Sequence, residues 1–295
     1  MVLYLKLARF RVGSYVDWGV VVEGYICDRS YLSSLCGLEL PNDLIQFLTH
    51  HELVSKVLKT LSNLQLDYCI SLSSVKLLPP VPKPSKMVFI GLNYQDHARE
   101  VGAEIPKEPV IFLKPPSAII GPYDNIVIPR RSRKVDYEGE LAVVIGRRAK
   151  SVDREEALNY VAGYMVMNDV TARDVQKAIS QWDKGKGFDT FAPCGPWLVT
   201  TDEIPDPHTV KITTKVNGVV KQDSGTWNMI FKVPDLIQDI TDVMTLEPGD
   251  IISTGTPSGV GYVKGEFLNP GDVVEVCIDR IGCIKNKVVA GTTTT

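Results

Sequence analysis

What this sequence has little of narrows it first. Histidine occurs only four times in 295 residues, so an imidazole in any chemistry has few candidates. The six cysteines (Cys27, Cys36, Cys69, Cys194, Cys277, Cys283) form no C-x-x-C pair and lack histidines at zinc-finger spacing. With no secretory start ahead of them, they are expected to be reduced, packed thiols. Neither charge sign dominates: 32 Lys and Arg against 35 Asp and Glu give a net charge of −3. The one dense basic run, Arg130, Arg131, Arg133 and Lys134, leads straight into Asp136, Glu138 and Glu140, so no nucleic-acid footprint forms. The apolar runs fall short of the roughly 20 residues a membrane span needs, and no arginine-rich start leads into a signal core. The expectation is a cytoplasmic protein with neither a nucleic-acid partner nor a membrane.

What is present builds a globular chain. Hydrophobic residues make up 44% and charged ones 23%, enough for a sizeable core and against global disorder. Val2–Phe10 and Trp18–Cys27 read as strands. Pro41–Leu61 reads as one or two amphipathic helices, with Asn42 placed to cap the first. Then Pro79, Pro80, Pro82 and Pro84 put four prolines in six residues, which neither a helix nor a central strand tolerates. The chain is thereby divided into a small N-terminal domain over 1–80, a main domain over 81–290 and a polar tail over 291–295. The main domain reads as strands at Met87–Leu92, Val110–Leu113, Glu140–Ile145, Ala162–Met167, Trp197–Thr201, Val210–Val216, Asp250–Thr254 and Val273–Ile278. Helical patterns fall at Tyr94–Val101, Arg154–Tyr160, Thr171–Trp182 and Val233–Val243. Many strands with few helices predict an α+β domain on a curved sheet system.

Five segments carry candidate chemistry. In Asp136-Tyr137-Glu138-Gly139-Glu140, a strand would put Glu138 and Glu140 on one face. They repel each other unless a cation lies between them, and hard divalent ions prefer carboxylate oxygens. The plainer alternative is a solvated strand start paired with Arg131 or Lys134. Asp169 closes another strand and precedes a helix, as a site residue on a rigid scaffold or as a cap. His97 and Glu100, three apart on a helical turn, pair an imidazole with a carboxylate that raises its basicity; a structural histidine is the alternative. Lys186, between Gly185 and Gly187, reads either as a group held against an oxyanion or as a solvated loop lysine. Ser253-Thr254-Gly255-Thr256-Pro257-Ser258-Gly259 offers hydroxyls and open N–H groups to a carboxylate or phosphate, without a P-loop lysine.

Taken in order, Gly91-Leu92-Asn93-Tyr94 with His97, Asp136–Leu141, Asn168–Asp174, Lys186–Phe191 and Thr254–Pro257 resemble the fumarylacetoacetate hydrolase family, over about Met87–Val289. The resemblance implies a mixed β-sandwich roll behind a smaller N-terminal α/β domain, usually a homodimer. It implies Glu138, Glu140 and Asp169 as ligands of Mg²⁺ or Mn²⁺, with Ca²⁺ as a stand-in in crystals. His97 with Glu100 matches the catalytic dyad of the branch acting on acylpyruvates and oxaloacetate, on a short helix that closes over substrate. Lys186 matches the lysine that stabilises enolate charge, and Gln176 and Thr256 match contacts to substrate oxygens. The function implied is that of a divalent-metal-dependent enzyme acting on short 2-oxo or β-oxo dicarboxylates through an enolate, as an oxaloacetate decarboxylase or keto–enol tautomerase. The alternatives are an acylpyruvate or fumarylpyruvate C–C hydrolase, a 2-hydroxyhepta-2,4-diene-1,7-dioate isomerase and, from another class, a non-catalytic metabolite-binding protein.

Overall fold

The computed structural model describes residues 5–178 and 181–291. The strand Gly139–Ile145, whose apolar run is Leu141–Ile145, is buried at every position. Leu141, Val143 and Ile145 join one core, Ala142 and Val144 another, so the run is continuously apolar because both of its faces are covered. It pairs antiparallel with Val161–Asn168 on one side and Ile251–Ser253 on the other. These strands lie within a twelve-stranded mixed sheet. Toward one edge it continues through Ala192–Thr200 to Lys6–Val12, and toward the other through Met87–Gly91 to Val110–Lys114.

A five-stranded sheet packs against one face, with Ile212, Val274, Val276 and Ile284 meeting Tyr164 and Val166 in a shared core. Helix Val233–Val243 adds Leu236, Ile237 and Ile240 to the same core. On the other face, helices Arg29–Cys36, Leu44–Thr49 and His51–Thr60 bring Leu32, Phe47 and Val57 against Met165 and Met167. Two packed sheets with helices on the outside make the α+β architecture expected from the sequence. Among the described residues no helix is long and apolar enough to cross a membrane.

Several local expectations change. Trp18–Cys27 is two strands, Tyr15–Val22 and Tyr25–Asp28, because Glu23 (φ 49°) and Gly24 (φ 83°) turn the chain between them. Asp43, not Asn42, caps the helix Leu44–Thr49: its Oδ1 accepts the Gln46 N–H at 2.8 Å. Thr171–Ala172 pairs with Val135–Asp136 before the helix Arg173–Ala178 begins; Ile179 and Ser180 lie outside the described residues, and a second short helix covers Asp183–Lys186. The first strand is described from Lys6; the start of Val2–Phe10 and the tail beyond Gly291 lie outside the described residues. The thiol expectation holds for Cys36 and Cys194 only; Cys27–Cys69 and Cys277–Cys283 are disulfides. Strand pairing brings them together, with Cys277 directly opposite Cys283 and Cys27 on a strand that pairs with Ile70–Ser71. Linear spacing rules do not see cross-strand neighbours.

Because Lys6–Val12 pairs with Ala192–Thr200, one sheet runs through chain on both sides of residue 80. We propose the division near residue 80 as one of two lobes joined by the proline segment and this shared sheet.

At Gly139 the two sheets approach closely. A Cβ there would stand 2.3 Å from Thr214 Oγ1 and 2.9 Å from Val276 Cγ1, both on the opposing sheet. Gly139→Ala should therefore force the two sheets apart and cost roughly 1–3 kcal/mol. Urea denaturation checks this, and an unchanged midpoint would refute the packing argument.

Candidate active site

Strand register assembles the acids. Gly139 pairs with Asn168, which sets Glu138 opposite Asp169, and the Asp169 N–H donates to the Glu138 carbonyl at 2.8 Å. Because side chains alternate along a strand, Glu138, Glu140 and Asp169 emerge on the same face. All three are buried, and one oxygen of each lies within 4.8 Å of the others.

Three buried cations answer this charge. Lys186 Nζ donates to Glu138 Oε2 at 2.7 Å, Asp169 Oδ2 at 2.6 Å and Thr171 Oγ1 at 2.9 Å. Arg173 bridges Glu138 (2.5 Å) and Asp136 (2.9 Å). Lys114 Nζ donates to Asp169 Oδ1 and the Phe191 carbonyl, each at 2.6 Å, and to the Val170 carbonyl at 3.1 Å. Glu140 differs, since its bonds come from the Ser253 hydroxyl at 2.5 Å and the Gly255 N–H at 3.1 Å, with no cation.

The titration behaviour follows from these partners. Burial works against the Glu138 anion, but Arg173 and Lys186 outweigh it and hold the carboxyl well below its ordinary range. Burial and the charges of Asp169 and Glu138 push Glu140 well above its own. Burial also pulls Lys114 down to about 8 against the attraction of Asp169. On Lys186 the attraction of Asp169 and Glu138 wins over burial, and its affinity for a proton rises. An all-oxygen, buried donor set in which Glu140, among the described residues, takes no hydrogen bond from a cation fits a hard divalent metal, whose charge would favour the ionised Glu140.

The glycines flanking Lys186 explain its burial. A Cβ at Gly185 would lie 2.7 Å from the Gln176 backbone, and one at Gly187 would lie 2.8 Å from the Asp183 carbonyl and 3.0 Å from Pro115. Only bare backbone lets this short helix press against Arg173–Ala178 and push the lysine inward. The loop reading of Lys186 is thereby set aside.

Across from the acids lies helix Gln95–Val101. Its Asp96 carboxylate accepts from Ser224 at 2.6 Å, and Glu100 accepts the Gly259 N–H at 3.0 Å. Asn93 ties the helix entry to the Thr254 and Phe231 carbonyls at 2.8 and 3.1 Å. His97 Nδ1 stands 3.3 Å from Glu100 Oε2. Burial raises the Glu100 carboxyl, but the His97 and Gly259 hydrogen bonds and the His97 charge together bring it below its ordinary value.

Between helix and acids is a cavity of about 320 Å³. His97, Glu138, Glu140, Gln176, Lys186 and Thr256 all line it. Asp169 and Glu100 stand behind this lining, bonded to Lys186 and His97. Thr256 is held by its hydroxyl to the Gly139 carbonyl (3.0 Å) and by the Gln222 amide (2.8 Å), and Gln176 Oε1 accepts from Arg173 at 3.2 Å. Sequence reasoning assigned no role to Arg173 or Lys114. Arg173 sat inside a quoted motif. Lys114 ends an apolar strand, a place where a lysine reads as surface.

Residues 86–289 match the family described as fumarylacetoacetate (FAA) hydrolase C-terminal. Over 254 residues the chain is 48% identical to the mitochondrial oxaloacetate tautomerase of Bos taurus, covering 85% of this chain and 81% of that one. It resembles the maleylpyruvate hydrolase of Sphingobium, solved with manganese(II) and pyruvate, at a TM-score of 0.80 and 34% identity over 98% of this chain and 100% of that one. It also resembles the 2-hydroxyhepta-2,4-diene-1,7-dioate isomerase of Mycobacterium marinum, with TM-score 0.77 and 35% identity over 98% and 100% of the two chains.

Lys114 supplies the site's stability prediction. Lys114→Met leaves Asp169 Oδ1 buried beside two other acids without its cation, and breaking such a pair costs about 3–5 kcal/mol. Urea denaturation of metal-free protein should register that loss, and Mg²⁺ should raise the variant's midpoint more than the wild type's. Equal Mg²⁺ responses would show that Lys114 does not share the neutralising task.

Proposed function

The chain belongs to the fumarylacetoacetate hydrolase family and is an enzyme of that family, and from that premise we propose that it interconverts the keto and enol forms of oxaloacetate or a closely related short 2-oxo dicarboxylate. One observation carries the reading: the His97–Glu100 pair faces a cavity that Glu138, Glu140 and Lys186 also line. Likeness to an oxaloacetate tautomerase supports tautomerisation over decarboxylation, which also has less need of a base because CO₂ departs without one.

In this reading Glu138, Glu140 and Asp169 would hold Mg²⁺ or Mn²⁺, which would supply Lewis-acid polarisation. With its Nδ1–H donated to Glu100, His97 keeps Nε2 as the base that moves the proton between C3 and the enol oxygen. Lys186, whose donors go to Glu138, Asp169 and Thr171, places a positive charge beside the developing enolate. Gln176 and Thr256 orient the carboxylate and carbonyl oxygens, and the helix Gln95–Val101 closes over them and excludes water.

C–C hydrolysis of an acylpyruvate is the second reading, favoured by the likeness to a maleylpyruvate hydrolase; there the dyad would activate a water. We further propose a homodimer, tested by sedimentation, and action in the cytoplasm, tested by cell fractionation; the Bos taurus relative is mitochondrial.

Oxaloacetate tautomerisation, followed by ultraviolet absorbance, should depend on Mg²⁺ or Mn²⁺ and stop with chelator. His97→Ala should lower kcat by roughly 10²–10⁴-fold, the span of general acid–base catalysis, with metal affinity unchanged. Glu140→Gln should lose metal affinity and activity together. Retention of near wild-type kcat by both His97→Ala and Glu100→Ala would remove the dyad, and undiminished metal affinity in Glu140→Gln would remove the metal assignment.

A further inference from the structure

We propose that Lys177, braced by Tyr262, binds the carboxylate of the substrate that lies remote from its 2-oxo end, and so selects dicarboxylates over monocarboxylates. The inference deepens the reading above and rests on it for the orientation of the substrate.

Arg173, Lys177 and Lys186 are cations lining the cavity. Two of them are committed, Lys186 to Glu138 and Asp169, and Arg173 to Glu138 and Asp136. Lys177 is not. Among the described residues it has no carboxylate partner; its ammonium donates to the Tyr262 hydroxyl and lies 3.8 Å from the centre of that ring. A phenol and a ring face hold a cation in place without neutralising it. An ammonium has three donors, and the Tyr262 bond uses one. Lys177, itself solvent-exposed, therefore offers one positive charge with hydrogen-bonding capacity to spare at the open edge of the cavity.

The charge is positioned rather than free to wander. Lys177 follows Arg173 by four residues on the helix Arg173–Ala178, so both project from one face. The buried Asp136 fixes the two halves of this arrangement together. It accepts from Arg173 at 2.9 Å, and it also takes the N–H groups of Gly261 at 2.8 Å and Tyr262 at 3.0 Å. The helix that carries Lys177 and the short helix Gly261–Lys264 that carries Tyr262 are thus tied to the same carboxylate. A substrate whose 2-oxo acid end sits at Glu138, Glu140 and Lys186 would present its other end to the lining that Lys177 and Tyr262 form. An anionic end meets a charge with no other claim on it.

The test compares oxaloacetate with pyruvate, which lacks the second carboxylate, by calorimetry on the Mg²⁺-loaded enzyme. Wild type should bind oxaloacetate more tightly. Lys177→Gln should weaken oxaloacetate by roughly 10–100-fold, as expected for one charge-assisted hydrogen bond, while pyruvate stays within about twofold because its one carboxylate lies at the other end. Lys177→Arg should restore most of the preference. Equal losses for both ligands, no loss for either, or a wild type that does not distinguish them would each overturn the proposal. Turnover separates this from the functional reading: the expected affinity pattern without any tautomerisation of oxaloacetate sinks the reaction and leaves the Lys177 assignment standing.

Discussion

Three carboxylates within 4.8 Å of one another, away from bulk water, repel strongly, and much of the molecule is arranged so that they can coexist. Lys186, Lys114 and Arg173 reach them from three separate stretches of chain: a short helix, the end of an edge-ward strand and the start of the helix after Asp169. Each cation is itself buried and tolerable only because the acids are there. The cluster is therefore a mutual arrangement in which neither sign is stable without the other. Among the described residues Glu140 has no hydrogen bond from a cation, and a metal at the triad would supply that charge.

Holding such a cluster requires backbones to approach more closely than side chains allow. Gly139 lets the five-stranded sheet close over the strand bearing Glu138 and Glu140, and Gly185 and Gly187 let Lys186 be driven inward. Gly139 separates Glu138 from Glu140, and Gly185 and Gly187 flank Lys186. The i, i+2 spacing of the acids and the flanked lysine are thus products of packing as much as of chemistry.

The loop Thr254–Gly259 joins the two sides of the cavity. It returns N–H groups to Glu140 and Glu100 and a carbonyl to Asn93, so the acid cluster and the His97 helix share one support. In the proposed reading such a site would supply a base, an ammonium and a metal-binding triad without dictating a single outcome. Which reaction follows depends on whether water reaches the enolate and on what the far end of the substrate meets, and those are properties of the cavity mouth.

The sequence by itself determined the elements with strong local signals. The strand over Val273–Ile278 and the helix over Val233–Val243 form at the residues their periodicity marks, and the acids, His97, Glu100 and Lys186 were legible because ordered motifs flank them. What local pattern did not carry was pairing. Trp18–Cys27 is apolar except at Glu23, and a turn there divides it; Pro193 and Pro196 hid the first half of Ala192–Thr200; two cysteine pairs meet only through strand pairing. Lys114 belongs with them, since only the fold brings residue 114 beside residue 169. Residue type and spacing report what a segment prefers alone, whereas a buried charge, a disulfide or a close approach is decided by what lies opposite, and that neighbour can be any distance away in the chain.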